Sequence, residues 1–153
     1  MRAAAVALAA SLLTGLNLGV AGSQASPAGG VPAAVIANPL DVLMTVAPST
    51  AGVGATLKAV ATVTNLSALP LVNAAARLRV DTANVAIKGS ETIVIGKLAA
   101  RHRAQVTWQI CARRPGGYVA VAQANGSYAD GRAFAAESAA ATFAATTSKK
   151  ACR

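Results

Sequence analysis

Arg103-Ala104-Gln105-Val106-Thr107-Trp108-Gln109-Ile110 changes polarity at almost every step. Ala104, Val106, Trp108 and Ile110 fall on one side, and Gln105, Thr107 and Gln109 on the other. Side chains of an extended strand alternate between two faces, so this stretch reads as a half-buried β-strand with Trp108 pointing inward. An α-helix would need apolar residues three and four apart. Arg113-Arg114-Pro115-Gly116-Gly117 then closes the stretch as a turn.

The same alternation recurs in both directions along the chain. Upstream lie Leu40–Ala47, Thr56–Asn65, Leu71–Val80, a short Asn84–Ile87 piece and Glu91–Ile95. Downstream lie Tyr118–Ala124 and a final stretch from Arg132 to about Ala144. In Leu71–Val80 the inward set reads Val72, Ala74, Ala76, Leu78 and Val80. Turn residues separate the stretches, as in a sandwich or barrel. The alanines after Arg132 would also suit a helix. A strand is the preferred reading there, because the preceding strand needs a partner and Asn125-Gly126 opens a hairpin connection. The expected fold is all-β, an antiparallel sandwich of seven strands occupying residues 39–146.

The N-terminus reads as an address. Met1-Arg2 is positive, Ala3 to about Val20 is apolar, and Ala21-Gly22-Ser23-Gln24-Ala25 is small. This is the layout of a secretory signal peptide, residues 1–25, with cleavage after Ala25 and Ala21 as the rival site. An uncleaved membrane anchor is the alternative, and it is the only membrane association the sequence offers. No cysteine lies near the cleavage site, which excludes a lipid anchor there. Residues 26–38, with Pro27, Gly29, Gly30 and Pro32, read as a linker.

Export decides how the two cysteines are read. In an oxidising compartment Cys111 and Cys152 form a disulfide. Strand parity permits it. The strand ending at Ile110 is fifth and the last is seventh, so both end at one pole. Roughly seven residues of tail then span roughly 23–25 Å, enough to reach across. The crosslink would gather Arg113, Arg114, Lys149, Lys150 and Arg153 into a patch for anionic ligands, the bland alternative being a solvated turn and a basic tail, residues 147–153.

Composition narrows the rest. Lys and Arg total 14 against 5 Asp and Glu, a formal charge of +9. That favours anionic partners, but the charges are scattered, so no specific nucleic-acid contact is expected. Catalysis needs converging groups of tuned acidity. Asp41, Asp81, Glu91, Asp130, Glu137 and His102 are dispersed, and no serine sits in a nucleophile elbow. Two cysteines and one histidine are too few for a zinc site without a carboxylate. Neither a cofactor, a metal nor an enzymatic activity is expected. Trp108 and Tyr118 read as core aromatics; Tyr128 and Phe134 are the better candidates for exposure.

One resemblance emerges from motif order. Gly54 precedes Val60-Ala61-Thr62-Val63-Thr64-Asn65; Val72, Ala76 and Leu78 follow. Ile95-Gly96-Lys97-Leu98, Val106-Thr107-Trp108 and Gly117-Tyr118 come later, and Ala136-Glu137-Ser138 closes the set. The series resembles bacterial immunoglobulin-like domains of the CARDB and NEW3 type over about residues 39–145. It departs at Leu66-Ser67, where those domains carry glycine, and both cysteines are additions. The resemblance implies a two-sheet Greek-key sandwich with a non-catalytic role as spacer, adhesion module or accessory domain. The expected function is a secreted or cell-envelope interaction domain, its partner an unknown protein; the alternative is a module binding an anionic or carbohydrate polymer of the envelope.

Overall fold

The computed structural model describes residues 37–152, so the signal peptide, the linker through residue 36 and Arg153 lie outside the described residues. Ten strands run through this part: β1 (Leu40–Ala47), β2 (Thr50–Gly52), β3 (Thr56–Asn65), β4 (Leu71–Arg79), β5 (Val85–Lys88), β6 (Thr92–Leu98), β7 (Arg103–Ala112), β8 (Gly116–Ser127), β9 (Ala133–Glu137) and β10 (Ala141–Thr146). They form two sheets. One has the order β1-β3-β7-β5; the other has β2-β10-β8-β4-β6, with β9 also paired to β8.

The all-β expectation holds, but the strand count is ten and not seven. Two of the additions are short: β2, of three residues, leaves no alternation in sequence, and β5, of four, is the short Asn84–Ile87 piece that the seven-strand count takes as part of a connection. The third arises because the last stretch is broken. β9 and β10 lie successively along the same edge of β8. Between them Ser138 fills the gap in the ladder, its Oγ accepting from Ala122 N and donating to Ala139 O. The ladders are not all antiparallel either. After the cis Ala47–Pro48 peptide the chain leaves β1 and joins the other sheet as β2, parallel to β10.

The interior follows the alternation. Leu57, Ala59, Ala61 and Val63 of β3 are buried with Val106, Trp108 and Ile110 of β7. Ala74, Ala76 and Leu78 of β4 join them with Ala120, Ala122 and Ala124 of β8. Alanines bury little area each, so the bulk comes from a few large groups. Trp108, 2% exposed, is the largest fully buried side chain. Its indole N–H donates to Glu91 O at 3.1 Å, which avoids the cost of an unpaired polar group in a dry core.

The phase of β4 differs from expectation at its start. Leu71 is fully buried and Val72 is not. Asn73 has a φ of 53°, and the β4–β6 register shifts on both sides of Ala74, opposite Gly96, whose φ is 81°. A bulge adds a residue to the strand and inverts the alternation beyond it.

Candidate interaction surface

Strand register arranges the outer face of the four-stranded sheet in rows. One row is Ala47–Lys58–Gln109–Lys88 across β1, β3, β7 and β5. The next rows are Thr45–Val60–Thr107, Leu43–Thr62–Gln105 and Asp41–Thr64–Arg103. The result is a face rich in threonine and glutamine, interrupted by exposed Leu43 and half-buried Val60, with cations at both ends. Neighbouring strands lie about 4.8 Å apart, so Lys58 and Lys88 are about 10 Å apart at the backbone.

Below the Lys58–Lys88 row the chain's own tail covers the face at Cys111. Thr56, Cys111 and Ala86 form the next row, and Cys111 is bonded to Cys152 with 5.8 Å between Cα atoms. Residues 147–152 form a strap running past Gly52 and Gly54 to reach it. A Cβ on Gly54 would stand 2.6 Å from the carbonyl carbon and oxygen of Lys150, and its φ is 79°, so glycine is required twice over. Strap and sheet flank an open hollow of about 650 Å³ lined by Gly54, Thr56, Lys88, Lys149, Lys150 and Ala151.

Of the five basic residues singled out in the sequence, the four among the described residues divide between separate features. Lys149 and Lys150 line the hollow. Arg113 turns away, its Nη1 donating to Thr82 O and Ala83 O at 3.1 and 3.4 Å. Arg114 lines a different groove. Arg153 lies outside the described residues. All four that are placed share one end of the sandwich, where Gly54 N donates to Ala112 O and Val53 N to Thr146 O. Lys88 and Lys58 were missed, because their convergence depends on register across β7. The available signal was that both occupy outward positions beside turns.

The outer face of the other sheet differs in charge. Arg77 pairs with Glu91 at 3.2 Å, and Arg79 with Glu137 at 3.7 Å, whose Oε2 also accepts from Gln123. These are exposed pairs, worth well under about 1 kcal/mol each, so they shape the charge distribution more than the stability. Val94, 78% exposed, and Val119 add apolar surface. A groove of about 710 Å³ there is lined by Arg79, Asp81, Arg114, Tyr118, Val121 and Glu137, among others. Asp81 is held below its ordinary acidity range by the Asn84 amide and the Ala83 N–H. Asp130 is lowered by the Arg132 guanidinium, which pairs with it at 2.7 Å.

The aromatics are committed to packing. Tyr118 is half-buried, with its ring stacked on Phe143 at 5.4 Å and its hydroxyl donating to Arg114 O. Tyr128 corrects the expectation of exposure: it is 8% exposed, edge-to-face with half-buried Phe134 at 4.9 Å, and covered by Arg132. Sequence alone placed both near a hairpin end, which does not reveal that the two rings close the core there. His102 is an exposed turn residue whose carbonyl accepts from Asn65 N. Asn65 itself was read only as a strand end. It is fully buried, donating to Leu69 O, Leu98 O and Ala99 O while its Oδ1 accepts from Ser67. No group of three or more histidine, cysteine or acidic residues converges among the described residues.

The chain matches no family model and no curated protein. Among solved structures it is similar to the CARDB domain of PF1109 from Pyrococcus furiosus, at 16% identity over 72% of this chain and 96% of that one, TM-score 0.46. It is also similar to WR4, an MSP family member of C. elegans, at 12% identity over 68% and 98%, TM-score 0.41. A GH20 exo-β-N-acetylglucosaminidase from Vibrio harveyi is similar at 13% identity over 76% of this chain but only 19% of the enzyme, TM-score 0.36.

Proposed function

We propose that this chain is an exported, non-catalytic β-sandwich module that works at the cell envelope by surface contact with an anionic polymer. One observation carries the reading: the separation of charge between the two outer faces. On the six-stranded sheet Glu91 and Glu137 pair with Arg77 and Arg79, which leaves exposed Lys97 as the one unpaired cation of its strands among the described residues. Lys58, Lys88 and Arg103 share the other face with a single carboxylate, Asp41. A face of net positive charge attracts anionic polymers and orients them. Four of the five acidic side chains are engaged elsewhere, Asp41 being the exception. Glu91, Glu137 and Asp130 hold arginines, and Asp81 holds its own turn.

Export rests on the tripartite N-terminus, with removal of residues 1–25, and is supported by the disulfide. A second reading takes a protein partner on the six-stranded sheet, favoured by the exposed Val94 and Val119 beside neutralised arginines.

Retention on phosphocellulose tests the first reading. Lys58→Gln with Arg103→Gln, and Arg77→Gln with Arg79→Gln, remove the same net charge from opposite faces. The first pair is expected to elute at clearly lower salt and the second to elute close to the parent. Equal shifts in both would mean that net charge alone governs retention.

A further inference from the structure

We propose that the hollow between the C-terminal strap and the four-stranded sheet is a binding site for one anionic group of a linear polyanion, built from Lys88, Lys149 and Lys150 and existing only while Cys152 is bonded to Cys111. The inference rests on the anionic-polymer reading above and gives it a location.

Several observations converge on it. Three lysines from two separate segments line one hollow, and no acidic residue lines it with them. None of the three takes part in an ion pair among the described residues. Like charges brought together repel, so an arrangement that holds them in one place is completed by an anion. Thr56 and Gly54 complete the lining with Ala151. The volume, about 650 Å³, falls in the range of small-ligand clefts.

The geometry favours a chain over a lipid surface. The hollow lies between the strap and the sheet, and Lys58 continues its basic character in a line across the sheet face. A flexible polymer can seat one group there and lay its neighbours along Lys58, in the same row as Lys88 and two strands away across Gln109.

The strap supplies two of the three lysines, and its course is fixed at two points. Gly54 has no side chain where the Lys150 backbone passes, and Cys152 is tied to Cys111 beyond it. Breaking the bond frees Lys149 and Lys150 from Lys88, although all three charges remain on the chain. Site integrity and net charge can therefore be separated.

Affinity of the full-length exported protein for inorganic polyphosphate, measured across a salt series, tests this. Lys88→Gln/Lys149→Gln/Lys150→Gln is expected to weaken binding at least tenfold and to lower the log–log salt slope by about two, at roughly 0.7 per lost phosphate contact. Cys152→Ser keeps every charge and is expected to weaken binding by about fivefold or more, with the Trp108 environment checked by fluorescence. Should Cys152→Ser fail to fold, Gly54→Ala displaces the same strap with the disulfide in place and is expected to weaken binding likewise. Unchanged affinity in the triple variant, or in a folded Cys152→Ser, overturns the site and leaves the wider reading standing. A parent protein that binds no polyphosphate overturns both. Binding to phosphatidylglycerol vesicles without binding to polyphosphate overturns the polymer in favour of a membrane surface.

Discussion

Cys111 lies directly opposite Thr56 in the β3–β7 ladder, and both side chains project from the outer face of the sheet, yet Thr56 is exposed and Cys111 is 1% exposed. The difference is Cys152, which folds the tail over that one position. The crosslink thus belongs to the surface of the sandwich, where it pins a strap, and not to its core.

The disulfide closes a loop with a sequence separation of 41. In the chain-entropy account its loss by Cys111→Ser with Cys152→Ser costs up to about 4 kcal/mol, often less in practice. Urea unfolding followed by Trp108 fluorescence measures it. No change in midpoint would mean that the strap holds without the bond.

Gly54 and Gly96 offer a matched pair. Their φ values are 79° and 81°, but a Cβ at Gly96 meets nothing within 4 Å whereas one at Gly54 strikes the Lys150 backbone. Gly96→Ala is expected to cost only the left-handed backbone penalty, about 1–2 kcal/mol. Gly54→Ala is expected to cost more, the excess measuring displacement of the strap. Equal losses in urea unfolding would contradict the close passage.

Asn65 brackets the loop after β3 to the end of β6. Asn65→Ala leaves buried carbonyls and the Ser67 N–H without partners, at about 1–3 kcal/mol for each group not rescued by water. Asn65→Asp keeps the acceptor but turns a carboxyl toward Leu69 O, Leu98 O and Ala99 O, which favours the protonated form. Its folded pKa then rises above the unfolded value. Stability is fullest below about pH 4 and is lost as pH climbs through the folded pKa. A denaturation midpoint independent of pH in that variant would contradict the bracket.

Asp130 is held below its ordinary 3.8, first by the Arg132 side chain. The sign is the usual one for a depressed carboxylate: its contribution is complete above the unfolded pKa and fades as pH falls through the folded one. Arg132→Gln is expected to move the midpoint up toward 3.8 in a carboxyl-carbon NMR titration. An unmoved midpoint would assign the lowering to the backbone N–H alone.

Much of the fold was legible because burial in a sandwich leaves a period-two trace. β3 and β7 carry that trace unbroken, and Trp108 sits inward where it placed it. It fails where the backbone departs from regular extension. Asn73 and Gly96 insert a bulge that inverts the phase at Leu71, and Ser138 divides what reads as one alanine-rich strand. The pairing of Cys111 with Cys152 was within reach because strand parity fixes which pole a strand ends on. The surface was less legible. Lys58 and Lys88 are far apart in sequence and meet through Gln109. Arg113 and Arg114 adjoin Cys111 in sequence but turn elsewhere, because the 81–84 loop offers carbonyls to Arg113.

Amide chemical-shift mapping of the ¹⁵N-labelled exported protein, titrated with inorganic polyphosphate, tests the separation of faces most directly. The account predicts shifts at Lys58, Lys88, Gln109, Lys149 and Lys150, with Arg77, Val94 and Val119 unmoved. Shifts centred on the six-stranded sheet, or scattered over all cations alike, would contradict it.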